Sequence, residues 1–305
     1  MVELAWCGQK DLVREAYPVN SAPLTVTVMG AGGKMGMRVS NNLERSPHRV
    51  LYSENYPAAI ERVHAAGREI SDTSTAIAQS DVIVMAVPDI LLGEISQKIV
   101  PGAKPGAVLL TLDPAALYAG LIAPRDDLHF AVAHPCHPSV FLQRKSADEW
   151  ADTFGGIAAP QDVVAALEAG DGRVRDRTEQ IIRAIYSPVV DVHWVTVKQL
   201  TVLEPTVTET ITCMISGLLK DVLQEAVKTA DIPEPAVKAM LFGHVQIALA
   251  NSLLGSNAFS DAAMVAMDYG REMVIKDDWK KIFDDAELDR VIARMLRLEG
   301  VRRTA

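Results

Sequence analysis

Hydrophobic positions in the first two-thirds of the chain come in short blocks. From Leu24, "LTVTVMG" is a β-rich run that ends in glycine, and "KMGMRVSNNLE" follows with helical spacing. "RVLYSE", "DVIVMAV", "GAVLLTL" and "HFAVA" read as further strands, with "ILLGEISQKIV" a helix among them. "DVIVMAV" is apolar at nearly every position, as a strand covered on both faces is. Strands alternating with helical segments predict an α/β fold built on a parallel, doubly wound sheet. After about Pro188 the strand signal stops. "VTVKQLTVLEPTVTETITCMISGLLKDVLQEAVKTA" reads as helix with a break at Glu204–Pro205, and "PEPAVKAMLFGHVQIALANSLLG" and "DDWKKIFDDAELDRVIARMLRL" add more. The pattern predicts a nucleotide-type domain over residues 1–195, with a short N-terminal extension, and an all-helical domain over 196–305.

Composition narrows the partners. The chain has 305 residues, 49% hydrophobic and 23% charged, which suits a globular protein with a large core. A formal net charge of −9 argues against nucleic acid or an anionic membrane as main partner, while leaving an acidic substrate open. Cys7, Cys136 and Cys213 are far apart and form no CxxC pair, so a disulfide framework or cysteine-rich zinc site is not expected. The N-terminal stretch carries Glu3, Lys10, Asp11, Arg14 and Glu15 and does not read as a secretory signal. No uninterrupted apolar segment is expected to reach membrane-spanning length, and a cytoplasmic location is expected.

The glycine loop carries the first chemistry. "GAGGKMG" sets Gly30, Ala31, Gly32, Gly33, Lys34, Met35 and Gly36 between the first strand and the first helix. Glycines allow a tight turn and close approach to a pyrophosphate, and the helix N-terminus supplies free N–H groups to it. The spacing is GxGxxxG, with the third glycine one residue late, yet its place at the head of an alternating pattern points to a Rossmann dinucleotide site. Glu54 ends the second strand. A carboxylate there accepts hydrogen bonds from the adenosine ribose and repels a 2′-phosphate, which favours NAD; the competing reading is a solvated strand end. Arg62 and Arg68 stand away from the usual 2′-phosphate position. Val87 and Pro88 close another strand, and Asp113 ends "LLTLDP"; all three are expected to line the cofactor crevice.

"HFAVA" delivers His134 to the carboxyl end of a strand, the edge where open α/β sheets bind ligands. Pro135 and Pro138 bias His134 and His137 towards extended backbone, where residues i and i+3 face opposite ways, so the two are not expected to share a metal. His134 is expected to face the crevice. The competing reading is a proline-stiffened loop with surface histidines. Cys136 is expected to pack under the turn. A metal at His134 would need partners from the helical region, where Glu204 is expected at a helix start with its side chain turned outward; a plain helix-start carboxylate is the alternative. Glu209, five positions on, falls about 140° away on an α-helix. His244 and Asn251, seven apart, lie on one stripe and read either as substrate contacts or as satisfied core groups. Lys198 reads as a carboxylate or proton-transfer group, or as a solvated lysine.

The glycine loop, the "VIVMAVPD" strand end and the all-helical second domain resemble the 6-phosphogluconate dehydrogenase-like superfamily. "AVAHPCHPSVF" followed by "FGGIAAP" is similar to its group labelled phosphogluconate dehydrogenase (decarboxylating) C-terminal. The resemblance implies NAD-dependent oxidation of the hydroxyl beside a sugar-acid carboxylate, D-apionate being the substrate implied, then migration of a hydroxymethyl group onto the new ketone to give 3-oxo-isoapionate. Such a shift resembles that of ketol-acid reductoisomerase and benefits from a divalent cation, which gives His134 and Glu204 a purpose as ligands. A homodimer is implied by the same resemblance. The chain lacks the D-x-x-x-E pair of ketol-acid reductoisomerase, since Thr208 stands four after Glu204. It also lacks the G-x-x-K-x-x-N-N pattern of β-hydroxyacid dehydrogenases, as Lys198 is followed by Gln-Leu-Thr-Val. Two other functions stay open: a plain or decarboxylating hydroxyacid dehydrogenase, and a non-catalytic NAD-sensing protein.

Overall fold

The computed structural model describes residues 22–301 of the protein; the N-terminal extension, its reading as no secretory signal, and Cys7 lie outside the described residues. Seven strands form one sheet in the order β2-β1-β3-β4-β5-β6-β7. Strands β1 (Thr25–Met29), β2 (Arg49–Ser53), β3 (Val82–Met85), β4 (Val108–Thr111) and β5 (His129–Pro135) are mutually parallel. The helices up to the last strand are α1 (Lys34–Leu43), α2 (Pro57–Ala65), α3 (Thr73–Gln79), α4 (Asp89–Ile99), α5 (Ala115–Tyr118), α6 (Ala147–Ala151) and α7 (Gly172–Ile185).

Strand alternation distributes side chains to two cores. Val26, Val28, Val82, Val84, Val108 and Leu110 pack with Val39 and Leu43 of α1 and Ile181, Ile182 and Ile185 of α7. Met29, Ile83, Met85 and Leu109 pack with Ile77 of α3, Leu92 and Ile99 of α4 and Ala116 of α5. Both faces are therefore dry, which is why these strands read as unbroken apolar blocks. The order reverses between β1 and β3, and that switch point opens a crevice at the strands' carboxyl ends.

Two features depart from the expected pattern. β6 (Gln161–Leu167) runs antiparallel to β5, because the link between them carries only short α6 and no crossover helix on the sheet. β7 (Val189–Val195), parallel to β6, overturns the expectation that strands end near Pro188. It is an edge strand with exposed Asp191 and His193, and these polar positions break its apolar run.

Contacts divide the chain after Glu204, where the pattern placed the boundary after residue 195, and return the residues from Asp289 to the sheet unit. α8 (Val197–Thr201) explains the first difference. A reciprocal Thr196–Gln199 capping box starts it, and its Leu200 is buried with Val132 and Ala166 of the sheet. The helix Asp285–Leu296 explains the second, since Tyr118 Oη of α5 donates to Asp289 Oδ1 at 2.9 Å.

The expected break at Pro205 is a π-helix running from Val202 to Cys213. Proline has no N–H for an i−4 bond and its ring crowds that carbonyl, and the wider turn relieves both. Thr210 and Thr212 hydroxyls donate to the carbonyls five residues back, at Pro205 and Val207. Glu204 is consequently buried at 5% exposure, not turned outward at a helix start, and the α-helical angle separating it from Glu209 does not apply.

The helical unit, Pro205–Leu288, contains α9 (Met214–Thr229), α10 (Glu234–Leu249) and α11 (Asp261–Val274), and none of the residues of these three helices is buried within the chain. α10 runs on through Leu254 as a 21-residue helix that contains an 18-residue stretch of mean hydropathy 1.3. That is long and apolar enough to cross a membrane by length and composition, although no uninterrupted apolar run in it reaches that length. Glu234, Lys238, His244, Gln246 and Asn251 interrupt its surface.

Candidate functional site

The glycine loop lies at the carboxyl end of β1 and is tied to β2, with Gly30 N and Ala31 N both donating to Ser53 O at 2.9 and 3.2 Å. Gly30 has φ +72, and a Cβ there would press on the Ala86 carbonyl and Val87 of the neighbouring strand end. A Cβ on Gly36, inside α1, would collide with the Gly30 carbonyl oxygen, so the late third glycine still sets how closely helix and loop pack. Gly33 is the N-cap of α1, Lys34 is its exposed first residue, and Met35 packs partly against the core. The N–H groups of the first turn of α1, which have no partner within the helix, form a cradle for a dinucleotide's phosphates.

Glu54 is part of that cradle. Its Oε2 accepts from Gly32 N at 3.1 Å, and its Oε1 accepts from Asn55 N and Tyr56 N at 2.9 and 3.1 Å. It lines a cavity of about 180 Å³ with Gly30, Ser53, Asn55, Thr73 and Val87, which suits an adenosine ribose. Pro88 is the exposed N-cap of α4 and does not line that cavity. Arg62 Nε donates to Gly32 O at 2.8 Å, while Arg68 is buried against Glu44 at 2.6 Å. Sequence spacing held no sign that α2 turns Arg62 back onto the loop.

A second cluster forms where β4 and β5 end and the wide helix begins. Asp113, His134 and Glu204 each offer a ligand atom, and these atoms lie within 4.8 Å of one another. His134 Nδ1 lies 3.2 Å from Leu112 O, so the neutral ring carries its proton there and Nε2 keeps the lone pair a cation needs. Burial lowers the His134 pKa from 6.5 to about 4, keeping the ring neutral at ordinary pH. Asp113 Oδ1 accepts from Ala115 N at 2.8 Å, and Thr111 Oγ1 donates to the Asp113 carbonyl at 3.0 Å. Asp113, expected beside the cofactor, thus joins the two expected metal ligands. Two carboxylates and one imidazole suit a divalent cation.

The neighbourhood is arranged around this cluster. Burial and the Asp113 charge raise the Asp89 pKa from 3.8 to about 6. Strand β4 has ended at Thr111, opposite Val132, so the Ala133 carbonyl lacks a ladder partner on that side; buried Tyr186 Oη donates to it at 2.8 Å. His137 has φ +59, not the extended backbone expected before Pro138, and Cys136 is exposed rather than packed beneath the turn. The loop's packing on Phe154, seventeen residues on, overrides the bias from proline.

The remaining expected site residues lie elsewhere. Lys198 is exposed on α8. In the helical unit, His244 is exposed, with Nδ1 at 2.8 Å from its own helix's Met240 O, so it is not a buried core histidine of this chain. Asn251 Oδ1 accepts from Ser256 Oγ at 2.9 Å.

The family model for the phosphogluconate dehydrogenase (decarboxylating) C-terminal domain matches residues 142–296, and the acetohydroxy acid isomeroreductase NADPH-binding domain matches residues 22–158. D-apionate oxidoisomerase of Pectobacterium atrosepticum is 56% identical over 92% of this chain and 98% of its own. D-apionate oxidoisomerase of Blautia hydrogenotrophica is 40% identical over 90% of this chain and 96% of its own. A Cupriavidus necator crystal structure, described as a semialdehyde dehydrogenase NAD-binding protein in complex with calcium and NAD, is 35% identical. It superposes with a TM-score of 0.86 over 90% of this chain and all of that one. An NADH-preferring ketol-acid reductoisomerase from an uncultured archaeon shares the fold alone, at 16% identity and a TM-score of 0.61, over 90% of this chain and 82% of that one. The chain is an NAD-dependent oxidoreductase and belongs to the D-apionate oxidoisomerase family.

Proposed function

We propose that the protein oxidises D-apionate with NAD and rearranges the product to 3-oxo-isoapionate at a cation held by Asp113, His134 and Glu204. The observation that carries this reading is the approach of those three ligand atoms to within 4.8 Å on the sheet edge that also bears the glycine cradle. In the oxidation, hydride leaves the carbon beside the carboxylate for the nicotinamide and the hydroxyl proton leaves that oxygen. In the rearrangement, a hydroxymethyl group moves with its bonding electrons from the neighbouring carbon to the new ketone carbon. The neighbouring hydroxyl loses its proton and becomes the ketone, the former ketone oxygen takes up a proton and becomes a hydroxyl, and every carbon is retained.

A divalent cation supplies polarisation of the ketone and neutralisation of the oxyanion. The chain supplies the rest. Buried Glu204 and neutral His134 hold their ligand atoms in place, Asp113 is fixed by Ala115 N, and the loop Gly30–Gly36 with Glu54 orients the dinucleotide. NADH formation from D-apionate that stops on adding a chelator, with the product keeping its full carbon count by mass spectrometry, is the expected result. Carbon dioxide release would move the reading to a decarboxylating dehydrogenase, and NAD binding without turnover would leave a sensor.

The homodimer belongs to the same reading. Three helices with no buried residue cannot hold themselves together as a core, and exposed Met240, Phe242, Val265 and Met273 suit a second copy of the chain. Light scattering that returns twice the chain mass supports it, and a monomer rejects it. A cytoplasmic location is consistent with the polar residues along α10 and is tested by fractionation.

A further inference from the structure

His137 holds a conformation that a bland loop would not keep. Its φ of +59 places a non-glycine residue in the left-handed region, at a cost of about 1–2 kcal/mol. The ring is fixed on two sides. Nδ1 lies 2.7 Å from the Phe154 carbonyl oxygen and the ring packs on Phe154 at 4.6 Å between centroids. On the other side it meets His134 edge to face, at 6.3 Å and 85°.

The support under His137 is itself anchored. Phe154 carries the Arg38 guanidinium at 4.3 Å and Lys34 Nζ at 5.5 Å from its ring centre, both from α1. Asn42 of α1 donates to Gly156 O at 3.0 Å, and Asp152 Oδ2 gathers the N–H groups of Ile157, Ala158 and Ala159. Strain that is held by packing on both these sides is the kind found at functional positions.

The tautomer gives His137 its chemistry. Phe154 O accepts, so Nδ1 carries the proton, and in that neutral tautomer Nε2 is an acceptor to which no described residue donates. An acceptor pairs with a hydroxyl, not with a carboxylate or ketone oxygen.

We propose that His137 is a substrate-binding residue whose Nε2 accepts a hydrogen bond from a hydroxyl of the polyhydroxy acid held at Asp113, His134 and Glu204. This rests on the reading given under Proposed function. The 6.3 Å between the two histidine rings lets one small acid reach both. A substrate without that hydroxyl leaves the nitrogen unpaired, which makes His137 a determinant of specificity for polyols.

His137→Asn and His137→Gln separate this role from loop support. Asparagine keeps an amide N–H where Nδ1 sits, tolerates left-handed backbone, and has nothing at the Nε2 position. Glutamine reaches the Nε2 position and gives up the tie to Phe154. Melting temperature, NAD affinity and divalent-cation affinity are measured for each, alongside kcat/KM for D-apionate at saturating NAD. The expected result is that H137N keeps its melting temperature and both affinities and loses about 10- to 100-fold in kcat/KM, with H137Q recovering part. H137N within twofold of the parent overturns the proposal, as does a loss that follows a lower melting temperature or weaker NAD or cation binding. An active parent with an active H137N sinks this inference alone, whereas an inactive parent sinks the functional reading and takes the inference with it.

Discussion

Leu112, the residue that follows β4, and His134 of neighbouring β5 are joined by the 3.2 Å approach of the imidazole Nδ1 to the Leu112 carbonyl oxygen. Asp113 is the next residue, so the backbone that fixes the tautomer of one ligand also delivers the next. The two are a single device, made possible because β5 continues three residues past the point where β4 stops pairing with it.

Removing any member of the cluster should weaken the cation and spare the dinucleotide. Asp113→Asn, His134→Ala and Glu204→Gln are each expected to lower divalent-cation affinity by more than about tenfold. NAD affinity should stay within twofold, since the glycine cradle is built from other strand ends. Calorimetric titration of cation and NAD separately reads both, and unchanged cation binding in all three variants would reject the site.

Gly36→Ala should damage the cradle from beneath. The added methyl meets the Gly30 carbonyl, and the helix must move off the loop, at about 1–3 kcal/mol. A lower melting temperature and weaker NAD binding are expected together. Normal NAD binding in G36A would mean the helix relaxes without disturbing the turn.

Glu54→Ala tests cofactor choice. The variant loses the acceptor of three backbone N–H groups and the carboxylate set against a 2′-phosphate. The expected outcome is a rise in KM for NAD of about tenfold and a shift of the NAD/NADP ratio towards NADP. An unchanged ratio would place discrimination elsewhere, with Arg62 the next residue to replace.

Acid stability should report on His48, remote from the cluster. Its Nδ1 accepts from Leu24 N at 3.2 Å, and burial lowers its pKa below 6.5. A histidine titrating lower in the folded than in the unfolded chain gives full stability above 6.5, which is lost as pH falls towards the folded value. His48→Asn keeps an acceptor without the titration. Between about pH 7.5 and 5.5 the parent is expected to lose about 1 kcal/mol more than H48N in denaturant melts. Parallel profiles would clear His48 of any part in acid sensitivity.

What the sequence disclosed depended on how much of each signal was local. Val82–Met85 and Val108–Thr111 announced themselves because both faces are dry, and Gly30 with His134 stood at strand ends that the pattern already located. β7 escaped because an edge strand with Asp191 and His193 mixes its signal. Asp113 could be placed at a strand end but not beside His134, since the pairing of β4 with β5 is a fact of three dimensions. Glu204 was misdirected by assuming α winding through Pro205, and the His137–Phe154 contact spans seventeen residues of loop with no periodicity to betray it.

The wide helix through Pro205 bears on how such chains can be aligned. Its hydrogen bonds reach five residues back instead of four, so each of its turns holds close to one residue more than an α-helical turn, and α-helical spacing misassigns the faces of Val202–Cys213. A one-residue gap closed carelessly in this segment therefore compares side chains from different sides of a helix.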